Sequence, residues 1–488
     1  MIDDARIDAI IREVMAELRQ GERVRHGPLP ESMPATVPPP PPPDLERADS
    51  LFPDVNSAVA AARAAYRQLG NMPLSLREQM IAQIRRAARE NAQLFAYQAW
   101  QESGMGRYED KIQKNLLNAN KASGTEVLTP TAWTGDDGLT LLEYAPYGVI
   151  GAIIPSTNPT STVICNSIGA IAAGNAVVFN AHPGACACSN QVVQTISQAV
   201  VRAGGPANLV CAIANPTIET AQQIMSHSDV QLLVVTGGEG VVRAALGSGK
   251  RAICAGPGNP PVVVDETADL EQAGQDIVRG ASFDNNIICL DEKEIFAVTT
   301  IADELKRVMC AHGAHEINSW QLDRLMKSIF TEAPPAGQHG TMNKAFIGKN
   351  ANVLLREIGI DAGNEVRLVL VEVEHDHPLV LSEQLMPIIP LVRVESADEG
   401  IDLAMVAERG FRHTAVMHSK NLDHLSRMAR EMDCSIFVKN APSYAGVGYH
   451  GEGNCSFTIA SPTGEGVTGP ISYSRIRRCV LKDSFRIV

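Results

Sequence analysis

The chain of 488 residues carries a formal net charge of −13, with 45% hydrophobic but only 5% aromatic residues. Such a length implies about two to four domains with sizeable cores, and the acidic balance argues against a basic surface for nucleic acid. No apolar run reaches the roughly 18 to 20 residues that cross a bilayer, and the N-terminus lacks a signal peptide's apolar core and cleavage site, so no membrane partner and a cytoplasmic location are expected.

Residues 1–20 read as a detached amphipathic helix. Ile7, Ile10, Ile11, Val14, Met15 and Leu18 fall at helical spacing, with Asp3, Asp4, Asp8, Arg12, Glu13, Glu17 and Arg19 around them. Residues 21–45 hold Pro28, Pro30, Pro34 and the run Pro38 to Pro43, the composition of an extended, semi-rigid spacer. A short helix held away from the main body buries its apolar stripe elsewhere. Docking on another protein surface is the expectation, with folding back on its own subunit as the alternative. The mixed charge of the polar face argues against a membrane surface.

The globular part begins near residue 52. Helical patterns cover 55–69 and 75–102, and 139–147 reads as strand. Strands are then expected at 148–154, 176–180, 209–213 and 231–236, alternating with helices at 161–173, 189–203, 218–226 and 240–246. That alternation implies a parallel sheet covered on both faces, with ligands beyond the carboxyl ends of its strands. Gly174-Asn175 and Gly204-Gly205-Pro206 supply turns between helix and strand. A second α/β unit runs from about 251 to 440, with a strand at 262–264, a helix at 270–279 and a strand at 295–298. The stretch 471–488 returns to a strand-like pattern.

Four loops after expected strands stand out. The first, Ile153-Ile154-Pro155-Ser156-Thr157-Asn158-Pro159, puts Asn158 just before a helix that Pro159 can start. Asn158 reads either as a turn or cap residue or as an amide donor to a developing oxyanion. The second, Asn180-Ala181-His182-Pro183-Gly184, reads either as an adenosine contact or as an ordinary connection. The third, Thr236-Gly237-Gly238-Glu239-Gly240, opens a helix where backbone amides approach a phosphate. The fourth, Ala255-Gly256-Pro257-Gly258-Asn259-Pro260-Pro261, is a stiff turn before a strand. The 10 cysteines are scattered without a CxxC pair, so neither a metal site nor a disulfide framework is expected. Cys289 follows Asn285-Asn286-Ile287-Ile288 and precedes the 295–298 strand. A thiol on such a loop becomes a nucleophile where dipoles or cations lower its pKa.

Taken in order, these loops with Cys289 and Ser382-Glu383-Gln384-Leu385-Met386-Pro387 resemble the aldehyde dehydrogenase superfamily over roughly residues 50–488. The resemblance implies two doubly wound α/β domains plus a β oligomerisation element. The dinucleotide- and CoA-binding domain is 46–250, with a hairpin at 138–149. The catalytic thiol domain is 251–440, and 441–488 returns to the nucleotide domain and ends in an oligomerisation strand. By resemblance Cys289 is the nucleophile and Asn158 the oxyanion donor. Glu383 holds the nicotinamide ribose, and Thr236, Gly237 and Gly238 form the pyrophosphate loop. Ile153, Pro155, Asn180, His182, Pro183, Gly258 and Leu385 complete the expected cofactor-binding set.

Two departures from the family's pattern indicate a branch. Hydrolytic members carry a Glu in the segment matched here by Cys254-Ala255-Gly256-Pro257-Gly258, and no carboxylate occurs in residues 251–264. The usual ribose-binding Lys is replaced by Asn180. Both losses are similar to the acylating branch, which passes the acyl group to coenzyme A. Ser461 to Pro470, followed by Arg475-Ile476-Arg477-Arg478-Cys479, resembles its propanediol- and ethanolamine-utilisation members. The implied reaction oxidises a short aldehyde to acyl-CoA with NAD, propionaldehyde first and acetaldehyde next, through a Cys289 thioester. A hydrolytic aldehyde dehydrogenase and a non-catalytic cargo or scaffold homologue are the alternatives. Residues 1–20 are similar to peptides that dock on microcompartment shell proteins, placing the enzyme in a bacterial microcompartment lumen as a homo-dimer or tetramer. By residue type alone, His182, His375, His377, His413, Asp284 and Glu292 are candidates for the base.

Overall fold

The computed structural model describes residues 50–488. The helix expected at 1–20 and the spacer expected at 21–45 lie outside the described residues.

Among the described residues two parallel sheets dominate, with strands numbered along the chain. The first has six strands in the order β1 (Leu51–Phe52), β6 (Val210–Ile213), β5 (Ala176–Ala181), β4 (Val149–Ile154), β7 (Val230–Thr236) and β8 (Ala252–Ala255). The second has seven, in the order β11 (Ala314–Ile317), β12 (Leu368–Glu372), β13 (Ile388–Val394), β10 (Glu294–Val298), β9 (Pro261–Val264), β14 (Thr414–His418) and β15 (Ile436–Lys439). β2 (Thr131–Gly135), β3 (Gly138–Pro146) and β18 (Ser474–Lys482) form a three-stranded antiparallel sheet, and β16 (Ile459–Ala460) pairs with β17 (Gly466–Val467). Helices cover the parallel sheets, so their central strands are apolar runs buried from end to end, as in β4, β5 and β9. This is the expected α/β architecture.

The helices Val55–Leu69 and Ile218–Ser226 match their predicted bounds. The 75–102 pattern resolves into two helices, Ser75–Glu90 and Ala92–Ser103. Asn91 breaks the ladder between them, its Nδ2 donating to the Ala87 carbonyl at 2.9 Å. The Gly174 turn has φ 83°, which favours glycine. Asn175 Oδ1 beside it accepts from the Tyr147 and Gly148 amides at 2.7 and 3.0 Å.

Two boundaries differ from expectation, and two elements, β2 and the Tyr108–Lys121 helix, were not expected. The hairpin is β2–β3, spanning 131–146, whereas Val149 already belongs to the core strand β4. β2 escapes sequence reading because its residues are nearly all exposed and show no alternation. β8 lies past residue 250 yet pairs with β7 in the first sheet. The Tyr108–Lys121 helix has no apolar stripe to reveal it, because Lys111, Lys114, Asn115 and Asn118 occupy its buried face.

Candidate active site

The expected loops leave the carboxyl ends of three adjacent strands of the first sheet. Pro155 to Asn158 follow β4, His182 and Pro183 follow β5, and Gly237 and Gly238 follow β7. In the second sheet the amino ends carry the residues. Gly258 precedes β9, Cys289 precedes β10, Glu383 and Leu385 precede β13, and His413 precedes β14, and these four strands are neighbours. Within the first set the Gly237 amide donates to the Ala255 carbonyl at 3.1 Å, and within the second the Gly258 amide donates to Glu383 Oε1 at 3.3 Å; Lys114, bonded to both Asn158 and Asp284, joins the two.

The thiol loop is built from residues that tolerate a left-handed backbone. Asp284, Asn285 and Asn286 have φ of 45°, 58° and 64°, a conformation that Asp and Asn adopt at least cost. Each is anchored. Asn285 Nδ2 donates to the Gly348 carbonyl at 2.9 Å and to Asn350 Oδ1 at 2.8 Å. Asn286 Nδ2 donates to the carbonyls of Ala281 and Glu292 at 2.8 and 2.9 Å. The fully buried Lys293 closes the loop, donating to Asn286 O, Asn286 Oδ1 and Ile288 O at 3.0, 2.6 and 3.2 Å. Cys289 is half-buried within this frame. Burial and the Glu383 carboxylate push its thiol up to about 12 against the Lys293 cation, so the resting side chain is a thiol.

Asn158 is buried and precedes the Pro159–Ala172 helix, but its side chain makes no cap bond. Its backbone carbonyl accepts from the Thr162 amide and hydroxyl at 3.1 and 2.6 Å. Its Oδ1 accepts from Lys114 Nζ at 2.6 Å, and its Nδ2 donates to Thr157 Oγ1 at 3.1 Å. Lys114 also pairs with Asp284 Oδ2, which Lys111 Nζ reaches at 3.0 Å. Asp284 Oδ1 accepts from the Arg107 amide at 2.6 Å, and the Asp284 amide donates to Asp110 Oδ2 at 3.0 Å. Burial pushes the Lys114 ammonium down to about 8 against the Asp284 carboxylate. Sequence reading missed Lys114. Its signal was polar residues at 111, 114, 115 and 118, the spacing where a packed helix normally carries apolar ones.

The remaining cofactor-site residues differ in availability. Asn180 is buried, and its side chain is engaged within the protein: Oδ1 accepts from Thr220 Oγ1 at 2.6 Å and Nδ2 donates to the Thr217 carbonyl at 3.4 Å. His182 is exposed and its Nδ1 accepts from the Gly184 amide at 3.0 Å. Pro183 begins the turn Pro183–Ala185. Ile153 is buried in β4, and Pro155 is half-buried just beyond it. Thr236 Oγ1 lies 3.1 Å from Thr458 Oγ1. Gly238 caps the Glu239–Leu246 helix. Leu385 holds φ 52°, and its carbonyl accepts from the Gly348 amide at 2.9 Å.

Of the candidate histidines, His413 packs beside the thiol loop, across Gly258. A Cβ at Gly258 would stand 2.9 Å from His413 Cγ and 2.5 Å from the Cys289 carbonyl oxygen, so that approach requires glycine. His413 Nδ1 lies 2.8 Å from Thr414 Oγ1, its Nε2 has no protein partner, and burial pushes the ring down to about 3, keeping it neutral. His375 and His377 lie in the connection between β12 and β13.

Glu292 accepts from the Ser443 amide and hydroxyl at 2.8 and 2.7 Å, and burial pushes its carboxyl up to about 7 from an ordinary 4.5. Between those two values the folded state binds a proton that the unfolded chain has lost, so this group's contribution to stability falls as pH rises. The shift corresponds to about 3 kcal/mol. Glu292→Gln is therefore expected to gain on the parent between pH 5 and 8. The measurement is the difference in unfolding midpoint across that range, and a constant difference contradicts the assignment.

Parallel sheets meeting at a buried amide, a loop-borne thiol and a carboxylate define the class. The chain belongs to the aldehyde dehydrogenase family, whose profile matches residues 46–453. It is 49% identical over 443 residues to an acetylating acetaldehyde dehydrogenase of Bilophila wadsworthia, covering 90% of this chain and 91% of that one. A Rhodopseudomonas palustris propionaldehyde dehydrogenase, solved with bound CoA and an acylated cysteine, superposes with a TM-score of 0.86 at 46% identity over 89% of this chain and 98% of that one. A propionaldehyde dehydrogenase from the Clostridium phytofermentans fucose utilisation bacterial microcompartment superposes with a TM-score of 0.87 at 46% identity over 90% of this chain and 100% of that one. Among the described residues no helix is long and apolar enough to cross a membrane.

Proposed function

We propose that this protein oxidises a short-chain aldehyde with NAD and delivers the acyl group to coenzyme A, with propionaldehyde first and acetaldehyde next as substrates. One observation carries the reading: the thiol loop packs by its Cys289 carbonyl against Gly258, in a segment, residues 251–264, without a carboxylate to activate water. Kinship with an acetylating and two propionaldehyde enzymes supports it.

The residues present fit a nicotinamide nucleotide. Gly237, its own amide held by the Ala255 carbonyl, and the N-cap Gly238 bring the first-turn amides of the Glu239–Leu246 helix to a pyrophosphate, and Glu383 offers a carboxylate to a ribose hydroxyl. In this reading Ile153, Pro155, His182, Pro183, Thr236, Gly258 and Leu385 complete the nucleotide-binding set. Asn180 contributes as a wall, since Thr217 and Thr220 engage its side chain. The bound nucleotide supplies the hydride acceptor.

Cys289, once deprotonated, attacks the carbonyl carbon, forming a C–S bond and sending the carbonyl electron pair onto oxygen. Asn158 Nδ2 donates to that oxyanion. When the oxygen's electron pair returns, hydride leaves the carbon and a thioester remains on Cys289. The coenzyme A thiolate attacks the acyl carbon, the Cys289 S–C bond breaks, and acyl-CoA departs. Thiol-for-thiol exchange keeps the activated bond that hydrolysis would discard, so the missing water base suits the reaction. Residues 1–20 serve to dock the enzyme on a microcompartment shell. The sheet of β2, β3 and β18, exposing Trp133, Ile476 and Val480, serves to pair copies of the chain.

The test omits coenzyme A. One equivalent of NADH per active site is expected, followed by arrest, with acyl mass on the Cys289 peptide that coenzyme A then discharges. Continued release of free acid at the full rate would overturn the reading.

A further inference from the structure

An oxyanion donor must present N–H, yet an asparagine amide has nearly the same shape when turned over. Something has to decide which end faces the reacting carbonyl. In this protein the Asn158 Oδ1 accepts from Lys114 Nζ at 2.6 Å. An ammonium has three donors and no acceptor. The reversed amide would therefore set its NH₂ against a buried cation, losing a charge-assisted bond and gaining a repulsion. The cation also draws electron density from Oδ1, which strengthens Nδ2 as a donor.

Lys114 is itself fixed. It is nine-tenths or more buried, with Asp284 Oδ2 on one side and the Phe457 ring centroid 5.8 Å away. Asp284 also accepts from Lys111 and from the Arg107 amide, and it belongs to the left-handed stretch that presents Cys289. A continuous chain thus runs from the thiol loop through Asp284 and Lys114 to the Asn158 amide. Burying a lysine is costly unless its partners are in place, and here one of those partners is the amide whose orientation matters.

We propose that Lys114 is a positioning residue, which turns the Asn158 amide so that Nδ2 faces the developing oxyanion and ties that donor to the thiol loop through Asp284. This rests on the reading of Asn158 as the oxyanion donor. Lys114 touches no reacting atom and acts only through Asn158.

The test is a double-mutant cycle in the full-length protein, with Lys114→Met, Asn158→Ala and both together, read as steady-state constants and as the first-turnover rate of NADH formation. Lys114→Met is expected to lower kcat by about ten- to a hundredfold, within the range for a weakened oxyanion donor, and to leave the aldehyde KM within about threefold. Added to Asn158→Ala, it should cost less than about twofold more, because the group it orients is gone. Reappearance of its full factor in the double variant overturns the proposal while leaving the role of Asn158 intact. An Asn158→Ala variant with parental kcat overturns the oxyanion reading itself and this proposal with it. Should Lys114→Met fold poorly, Lys114→Met with Asp284→Asn and Lys111→Met removes the three buried charges of the cluster together, and the same non-additivity with Asn158→Ala is expected there.

Discussion

Cys289→Ala is expected to lower aldehyde- and CoA-dependent NADH formation by a factor on the order of 10⁴ or more, the scale seen when a covalent nucleophile is deleted. No other cysteine lies on this loop. Cys165, Cys188, Cys211, Cys254 and Cys455 are buried, and the half-buried Cys186 and Cys434 sit elsewhere, at the start of the Cys186–Arg202 helix and just before β15. Cys310 and Cys479 are exposed, on the Thr299–Ala311 helix and on β18. The variant should fold like the parent. The loop is held by Asn285, Asn286 and Lys293, and the lost atom is a single half-buried sulfur. Turnover within tenfold of the parent, with an unchanged unfolding midpoint, would remove Cys289 from the reaction. Intact mass after aldehyde and nucleotide provides the second readout: an acyl adduct on the parent and none on the variant.

Asn158→Ala is expected to lower kcat by about 10²- to 10³-fold, or about 2.7 to 4 kcal/mol, the effect of deleting one oxyanion donor. The aldehyde KM should move little, because the bond strengthens only as negative charge grows on the carbonyl oxygen. Asn158→Asp sharpens the test. The new carboxylate faces Lys114 Nζ, at the position where Oδ1 now accepts at 2.6 Å, so the variant should fold. It would nonetheless set a negative charge where the oxyanion forms, and its loss should at least equal that of alanine. An aspartate variant more active than the alanine one would contradict a donor role.

Much of the frame is legible in the residues. Strands β4, β5 and β7 are apolar runs set off by Gly174-Asn175 and similar turns, so their alternation with helices announces a parallel sheet. The resemblance drew attention to Asn158, Cys289 and Glu383, and the missing carboxylate in residues 251–264 separated the acylating branch from the hydrolytic one. The site's inner support was hidden. The Tyr108–Lys121 helix buries lysines and asparagines, and a pattern method reads buried positions only where they are apolar. Asp284, among the candidate bases by residue type, turns out to be committed: its carboxylate accepts from two lysines and the Arg107 amide, and its own N–H donates to the Asp110 carboxylate.

Local spacing along the chain reports which side of an element meets the interior, and a gap in a motif reports which reagent cannot be activated. Both are properties of neighbouring residues, and both could be read without coordinates. Which polar groups pay for their own burial is different, because Lys114 and Asp284 stand 170 positions apart. Only folding sets the carboxyl ends of β4, β5 and β7 beside the amino ends of β9, β10, β13 and β14. Only that meeting shows that the Asn158 side chain is held by a cation instead of capping its helix, and that Asn180 is already engaged by Thr217 and Thr220. A buried charge is tolerated solely where its partner arrives from elsewhere in the chain, and the three-dimensional arrangement alone supplies that partner.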